Sequence, residues 1–187
     1  MAKFAIITND LQFAAANKHE ERKKAVQSFL PTQIFILKQM RKLGIPVIHL
    51  QLIVSESDLR SQEVPDELKF TRGSKGAQIL KEVYETSDLT VKKPKDSGFY
   101  ETQLDSVLKG LGVDYIIITG MQTQICVQTT AADAYFRGYK VYVPSDAVIS
   151  TRAEDTKRAL EWMAGYCATV KTSEKIVNLV KNELAKK

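Results

Sequence analysis

Cys126, Asp10 and Lys93 are the residues of this chain whose types and placement could carry out acyl transfer together. A thiol near the start of a helix meets unpaired backbone N–H groups and the positive end of the helix dipole, and both favour the thiolate. A lysine ammonium close by adds to that effect. A carboxylate can take the thiol proton and later hand it to a leaving amine. Backbone N–H groups in a strand-to-helix turn can hold the developing oxyanion. Taken singly, each residue has an ordinary reading: Cys126 as helix packing, Asp10 as a helix cap, Lys93 as a strand-end lysine in a basic cluster.

The elements that must position these side chains follow from hydrophobic patterning. Lys3 to Asn9, Pro46 to Val54, Leu89 to Lys93, Asp114 to Gly120, Tyr139 to Val143 and Cys167 to Val170 read as strands. The run Tyr115 to Ile118 is continuously apolar, as in a parallel strand covered on both faces. His19 to Leu43 has helical spacing, with a break or kink expected at Pro31. Ala77 to Tyr84, Gly98 to Leu111, Thr123 to Arg137, Thr151 to Gly165 and Ser173 to Leu184 also read as helices, with Thr151 and Glu154 as a capping box. Ser55 to Lys75 is an irregular excursion of the kind that often forms a lid. Alternating strands and helices predict an α/β domain over 1–187, a parallel sheet with helices on both faces. Ligands bind beyond the carboxyl ends of such strands. Asp10, Lys93 and Cys126 all fall there.

Composition narrows the function classes. The 187 residues suit one domain with a real core. No stretch approaches the roughly 20 apolar residues of a membrane span, and the apolar run at the N-terminus is too short for a secretory signal. Two cysteines, Cys126 and Cys167, offer no disulfide framework, which fits a reducing, cytoplasmic setting. The net charge of +5 comes from scattered lysines, with denser points at Arg22–Lys24, Lys92–Lys95 and Lys186–Lys187. Solubility and a mild preference for anions explain that better than nucleic-acid binding. His19 and His49 lie far apart, so no histidine-rich metal cage is expected.

The motifs around the three residues resemble those of the isochorismatase-like cysteine hydrolases. Asn9-Asp10-Leu11-Gln12-Phe13 resembles that family's opening segment. Lys93-Pro94-Lys95-Asp96-Ser97-Gly98-Phe99, followed by Thr102, Leu104 and Leu108, resembles its central segment. Gly120-Met121-Gln122-Thr123-Gln124-Ile125-Cys126-Val127 resembles its nucleophile elbow, and Ala131, Asp133, Ala134, Gly138, Tyr139, Asp146 and Ala147 complete the pattern. The resemblance runs from Lys3 to about Ile176. It implies a three-layer sandwich with a mainly parallel six-stranded sheet in the order 3-2-1-4-5-6. It implies a catalytic triad of Asp10, Lys93 and Cys126, a cis peptide at Met121–Gln122, and an oxyanion hole from the Gln122 and Cys126 N–H groups. It also implies a small-molecule substrate, no organic cofactor and a homo-oligomer, dimer or tetramer.

The departures from the family pattern matter as much. The metal-holding histidines of the nicotinamidase branch have no counterpart after His49, so no metal is expected and His49 reads as a core or pocket-wall residue. True isochorismatases cleave a vinyl ether without a nucleophilic cysteine, so Cys126 argues for amide, ureido or N-carbamoyl C–N hydrolysis. A metal-independent nicotinamidase-like deamidase and a non-catalytic small-molecule binder stay open. Phe13 and Phe99 are candidate pocket walls, and Arg72 or Lys75 a candidate partner for a substrate carboxylate. Trp162 and Tyr166 read as packing or subunit contacts, and Cys167 as inert.

Overall fold

Period-two alternation along the central strands sorts the apolar residues into two cores. In β1 (Phe4–Asn9), Ala5 and Ile7 face one side and Phe4 and Ile6 the other. In β4 (Tyr115–Met121), Ile116 and Ile118 join the first core and Ile117 and Met121 the second. Both strands are therefore covered on both faces, with apolar runs over Phe4–Ile7 and Ile116–Ile118. The computed structural model describes residues 3–62 and 64–186. Met1, Ala2, Glu63 and Lys187 lie outside the described residues, and with them the ends of the expected 1–187 domain, one position of the Ser55–Lys75 excursion and the last residue of the basic tail.

The sheet has seven strands, all paired in parallel. Beyond β1 and β4 these are β2 (Val47–Leu52), β3 (Leu89–Lys93), β5 (Lys140–Pro144), β6 (Val148–Ile149) and β7 (Thr169–Lys171). Their order is β3-β2-β1-β4-β5-β7, with the two-residue β6 beside β4. That is the expected 3-2-1-4-5-6 order plus one short strand. Helices α1 (Phe13–Asn17), α2 (Glu20–Lys42) and α6 (Ser173–Ala185) cover one face. Helices α3 (Leu104–Gly110), α4 (Gln128–Phe136) and α5 (Ala153–Tyr166) cover the other. Among the described residues, no helix is long and apolar enough to cross a membrane.

Several local expectations give way to tertiary contacts. Helix α2 runs unbroken through Pro31. Pro31 and Gln27, whose carbonyl loses its helical partner there, are both exposed, so water can take that hydrogen bond. Ala77 to Tyr84 forms turns instead of a helix. Its backbone is committed to the segment after β1, through an antiparallel Gln12–Ile79 bridge and hydrogen bonds from Phe13 N to Gln78 O and Leu80 N to Leu11 O. Residues 98–103 also form turns, and α3 starts only at Leu104. The Thr151–Glu154 capping box is absent: Arg152 is the N-cap, its guanidinium has no acceptor to offer, and the Thr151 hydroxyl accepts from Arg22. On α4 and α5, Tyr135, Phe136, Trp162 and Tyr166 form a cluster of exposed rings.

Candidate active site

Asp10 directly follows β1 and is buried, with a φ of 50°. This left-handed conformation disfavours most residues with a Cβ, and Asp tolerates it better than others. It turns the chain sharply at the carboxyl edge of the sheet. Lys93 ends β3, and the burial pattern of that strand puts Lys93 inside and Lys92 outside. The Lys93 side chain is 0% exposed. All three of its ammonium protons have acceptors: Asp10 Oδ2 at 3.0 Å, Lys95 O at 3.1 Å and Asp96 O at 3.0 Å. A buried ammonium without those partners would be strongly disfavoured.

Cys126 sits in a π-helical turn, Thr123–Val127, that leads directly into α4. The peptide between Met121 and Gln122 is cis. The buried Cys126 thiol donates to Asp96 Oδ1 at 3.6 Å, while Asp10 Oδ1 has no hydrogen-bond partner. The Asp10 charge is nonetheless felt at the thiol.

The electrostatics correct one expectation. Burial pushes the Cys126 thiol well above its ordinary value, and the Asp10 charge pushes the same way, against Lys93. The resting group is a thiol, not the thiolate that a helix start alone would favour. Burial also raises the Asp10 carboxyl, opposed by Lys93. Burial by itself would lower Lys93, but its acidic neighbours together, Asp10 foremost, outweigh burial and raise it.

A polar network fastens the three segments one step away from the reactive groups. The Thr130 hydroxyl, on α4, donates to Asn9 Oδ1 at 3.1 Å and accepts from the Gly98 N–H at 3.0 Å. Asn9 precedes Asp10, Thr130 lies one turn past Cys126, and Gly98 closes the loop that begins at Lys93. Ser97 adds a bond to Asp133 at 2.6 Å. Gln12, fully buried, ties the segment after Asp10 to Leu52 and Ala77 through three hydrogen bonds. Gly120 completes the arrangement. Its φ is 104°, and a Cβ there would overlap the Asn9 backbone, so only glycine lets β4 end against β1.

Asp10 and Cys126 open on a cavity of about 630 Å³, also lined by Gln122, Arg22, Arg60 and Phe70. Part of the Ser55–Lys75 excursion supplies apolar wall through Val64, Pro65 and Leu68. Four sequence candidates, Phe13, Phe99, Arg72 and Lys75, do not line it. Phe99 is buried in the core, stacked on Tyr139. Phe13 is half-buried under the Lys75 ammonium, 4.3 Å from its ring centre. Arg72 is exposed. Sequence reasoning missed Arg22, Arg60 and Asp96. Arg60 bonds Asp58 at 2.9 Å and Pro94 O at 3.1 Å, and lies 3.6 Å from Asp96. The one available signal was Asp96 itself, three residues past Lys93 inside a recognised motif.

His49 is a core residue away from this cavity. Its ring bonds Thr8 at 2.7 Å and Asp88 at 3.0 Å, and Asp88 in turn pairs with Arg41. Among the described residues, no group of three or more His, Cys, Asp or Glu side chains is gathered to hold a metal ion.

Comparison with known proteins follows the same lines. The family model described as "Isochorismatase domain" matches residues 4–175. The chain is 44% identical over 92 residues to the uncharacterized isochorismatase family protein YaaI of Bacillus subtilis, covering 49% of this chain and 51% of that protein. It is 34% identical over 120 residues to the ureidoacrylate amidohydrolase RutB of an Enterobacter species, covering 60% and 52%. The chain thus spans about half the length of these curated relatives. The solved N-carbamoylsarcosine amidase of Thermoplasma acidophilum superposes with a TM-score of 0.77 at 26% identity, covering 91% of this chain and 96% of that one.

Proposed function

Because the chain belongs to the isochorismatase family, we propose that it hydrolyses a small non-peptide amide or an N-carbamoyl or ureido C–N bond, with Cys126 as nucleophile. The observation that carries this reading is the buried Asp10–Lys93 ion pair at 3.0 Å, whose carboxylate partner Asp10 lines the same cavity as Cys126. A buried pair of this kind adds little to stability. Its value lies in holding a carboxylate and a positive charge beside a sulfur.

The chemistry follows from the resting protonation. Asp10 takes the Cys126 proton as sulfur attacks the carbonyl carbon, so a thiolate exists only when a substrate is there to receive it. Lys93 balances the negative charge that moves from carboxylate to sulfur to oxygen. The oxyanion forms beside the Gln122 and Cys126 N–H groups. The tetrahedral adduct collapses by breaking the C–N bond, and the departing nitrogen takes the proton from Asp10. Water, deprotonated by the same carboxylate, then cleaves the S-acyl intermediate and restores the thiol. The proton thus moves between sulfur, carboxyl and substrate as one coupled system.

A panel of small amides and ureido compounds, read by ammonia release, tests this. At least one compound is expected to turn over, and Cys126→Ala is expected to abolish that turnover with little loss of stability. Full turnover in the Cys126→Ala protein would rule out the covalent route.

A further inference from the structure

The charges around the cavity are unevenly matched. Asp10 is paired with Lys93, and Asp96 faces Arg60, which also holds Asp58. Lys18 is exposed to solvent. Arg22 is different. It is half-buried, it lines the cavity, and no carboxylate pairs with it among the described residues. Its hydrogen bonds are from Nε to the Thr151 hydroxyl at 2.5 Å and from Nη1 to Ala15 O at 3.3 Å. These two contacts fix the plane of the guanidinium and leave three of its five N–H donors unused.

We propose that Arg22 is the specificity residue of this cavity, and that it selects substrates carrying a carboxylate, small N-carbamoyl or ureido acids above their neutral analogues. The proposal rests on the hydrolase reading above and narrows it. A carboxylate fits the donor fork of a guanidinium in a planar, two-bond geometry that a neutral group cannot match. Orientation follows from charge as well. Beside the sulfur the positive charges of Lys93 and Arg60 are already matched by Asp10 and Asp96, while Arg22 has no such partner and attracts a substrate carboxylate. The acid end is therefore held away from Cys126 and the carbonyl end is left beside it. Burial lowers the Arg22 guanidinium from its ordinary value with no carboxylate opposing the shift, and a bound anion would reverse that.

The test separates binding from turnover. Ureidoacetate, 3-ureidopropanoate and 4-ureidobutanoate, each with its methyl ester, are titrated calorimetrically into the Cys126→Ala protein, with and without Arg22→Gln or Arg22→Lys. The same compounds are assayed with the Cys126-containing proteins. At least one acid is expected to bind more tightly than its ester. Arg22→Gln should weaken the acid about tenfold to hundredfold, the loss of a charge-assisted hydrogen-bonded contact, and the ester by less than about threefold. Arg22→Lys, which keeps the charge but not the fork, should fall between. Equal binding of acids and esters, or an equal loss for both on Arg22→Gln, would overturn the role of Arg22. Selective binding of acids without any ammonia release would instead sink the hydrolase reading and leave Arg22 as the recognition residue.

Discussion

Lys93→Met is the most informative perturbation of the fold itself. The methionine side chain can fill the apolar stem of Lys93 but removes the partner of Asp10. The stranded carboxylate then has one escape, which is to take a proton. At pH 7, holding protonated a carboxyl that titrates at 3.8 in the unfolded chain costs about 4 kcal/mol, at 1.36 kcal/mol per unit. That is a ceiling on the electrostatic loss and falls within the range for breaking a buried pair. The sign is fixed by linkage. The folded Asp10 carboxyl is raised, so the penalty is full at neutral pH and shrinks by about 1.4 kcal/mol for each unit of acidification, vanishing near 3.8. Urea denaturation of the variant and its parent at pH 5, 6 and 7 reads this directly, with Trp162 as the fluorophore. Asp10→Asn in the Lys93→Met background should recover most of the pH 7 loss. A stability gap that does not change with pH, or a double variant no more stable than Lys93→Met, would refute the reasoning.

The remaining predictions concern other groups. Asp10→Asn removes a charge that raises the Cys126 thiol, so iodoacetamide should label Cys126 faster in that variant than in the parent at pH 7, as read by peptide mass spectrometry. Slower labelling would mean that Asp10 helps alkylation by taking the thiol proton more than its charge restrains the thiolate. Thr130→Val strands Asn9 Oδ1 and the Gly98 N–H and should cost about 2–4 kcal/mol in urea denaturation, with Thr130→Ser close to the parent. Burial alone would raise Asp88, but hydrogen bonds from Arg41 and His49 hold it below its ordinary 3.8, so its stabilisation is present above that value and lost as pH falls through the folded one. Asp88→Asn should therefore cost about 3 kcal/mol near neutrality and progressively less below pH 3.8, checked by thermal melts across that range. His49, which burial lowers from 6.5, adds a separate loss of stability as the parent is acidified below that value.

The sheet and the placement of the reactive groups were legible because they rest on strong, local signals. Tyr115 to Ile118 can only be a strand covered on both faces, and Asp10, Lys93 and Cys126 stand where strands end. What failed was decided by partners distant in sequence. Residues 77–84 have helical apolar spacing, but the Gln12–Ile79 bridge claims their backbone. Thr151 is a reasonable helix cap until Arg22, 129 positions earlier, takes its hydroxyl. The pocket wall was the least legible part. Phe13 and Phe99 are aromatic and close in sequence to reactive residues, yet they pack elsewhere, and Arg22 looks like one more surface charge on an amphipathic helix. The dipole argument for a thiolate at Cys126 left out burial, which acts in the opposite direction.

The hydroxyl of Thr130, shared between Asn9 and Gly98, means that scaffold and reactivity are separately encoded. The Asp10–Lys93 pair and the neighbours of the three groups hold the geometry, while the sulfur itself holds little of it. A lineage could exchange the sulfur for an inert side chain and still inherit an intact, correctly shaped receptor for the same small molecule. Loss of turnover and loss of recognition are thus independent evolutionary events in this architecture.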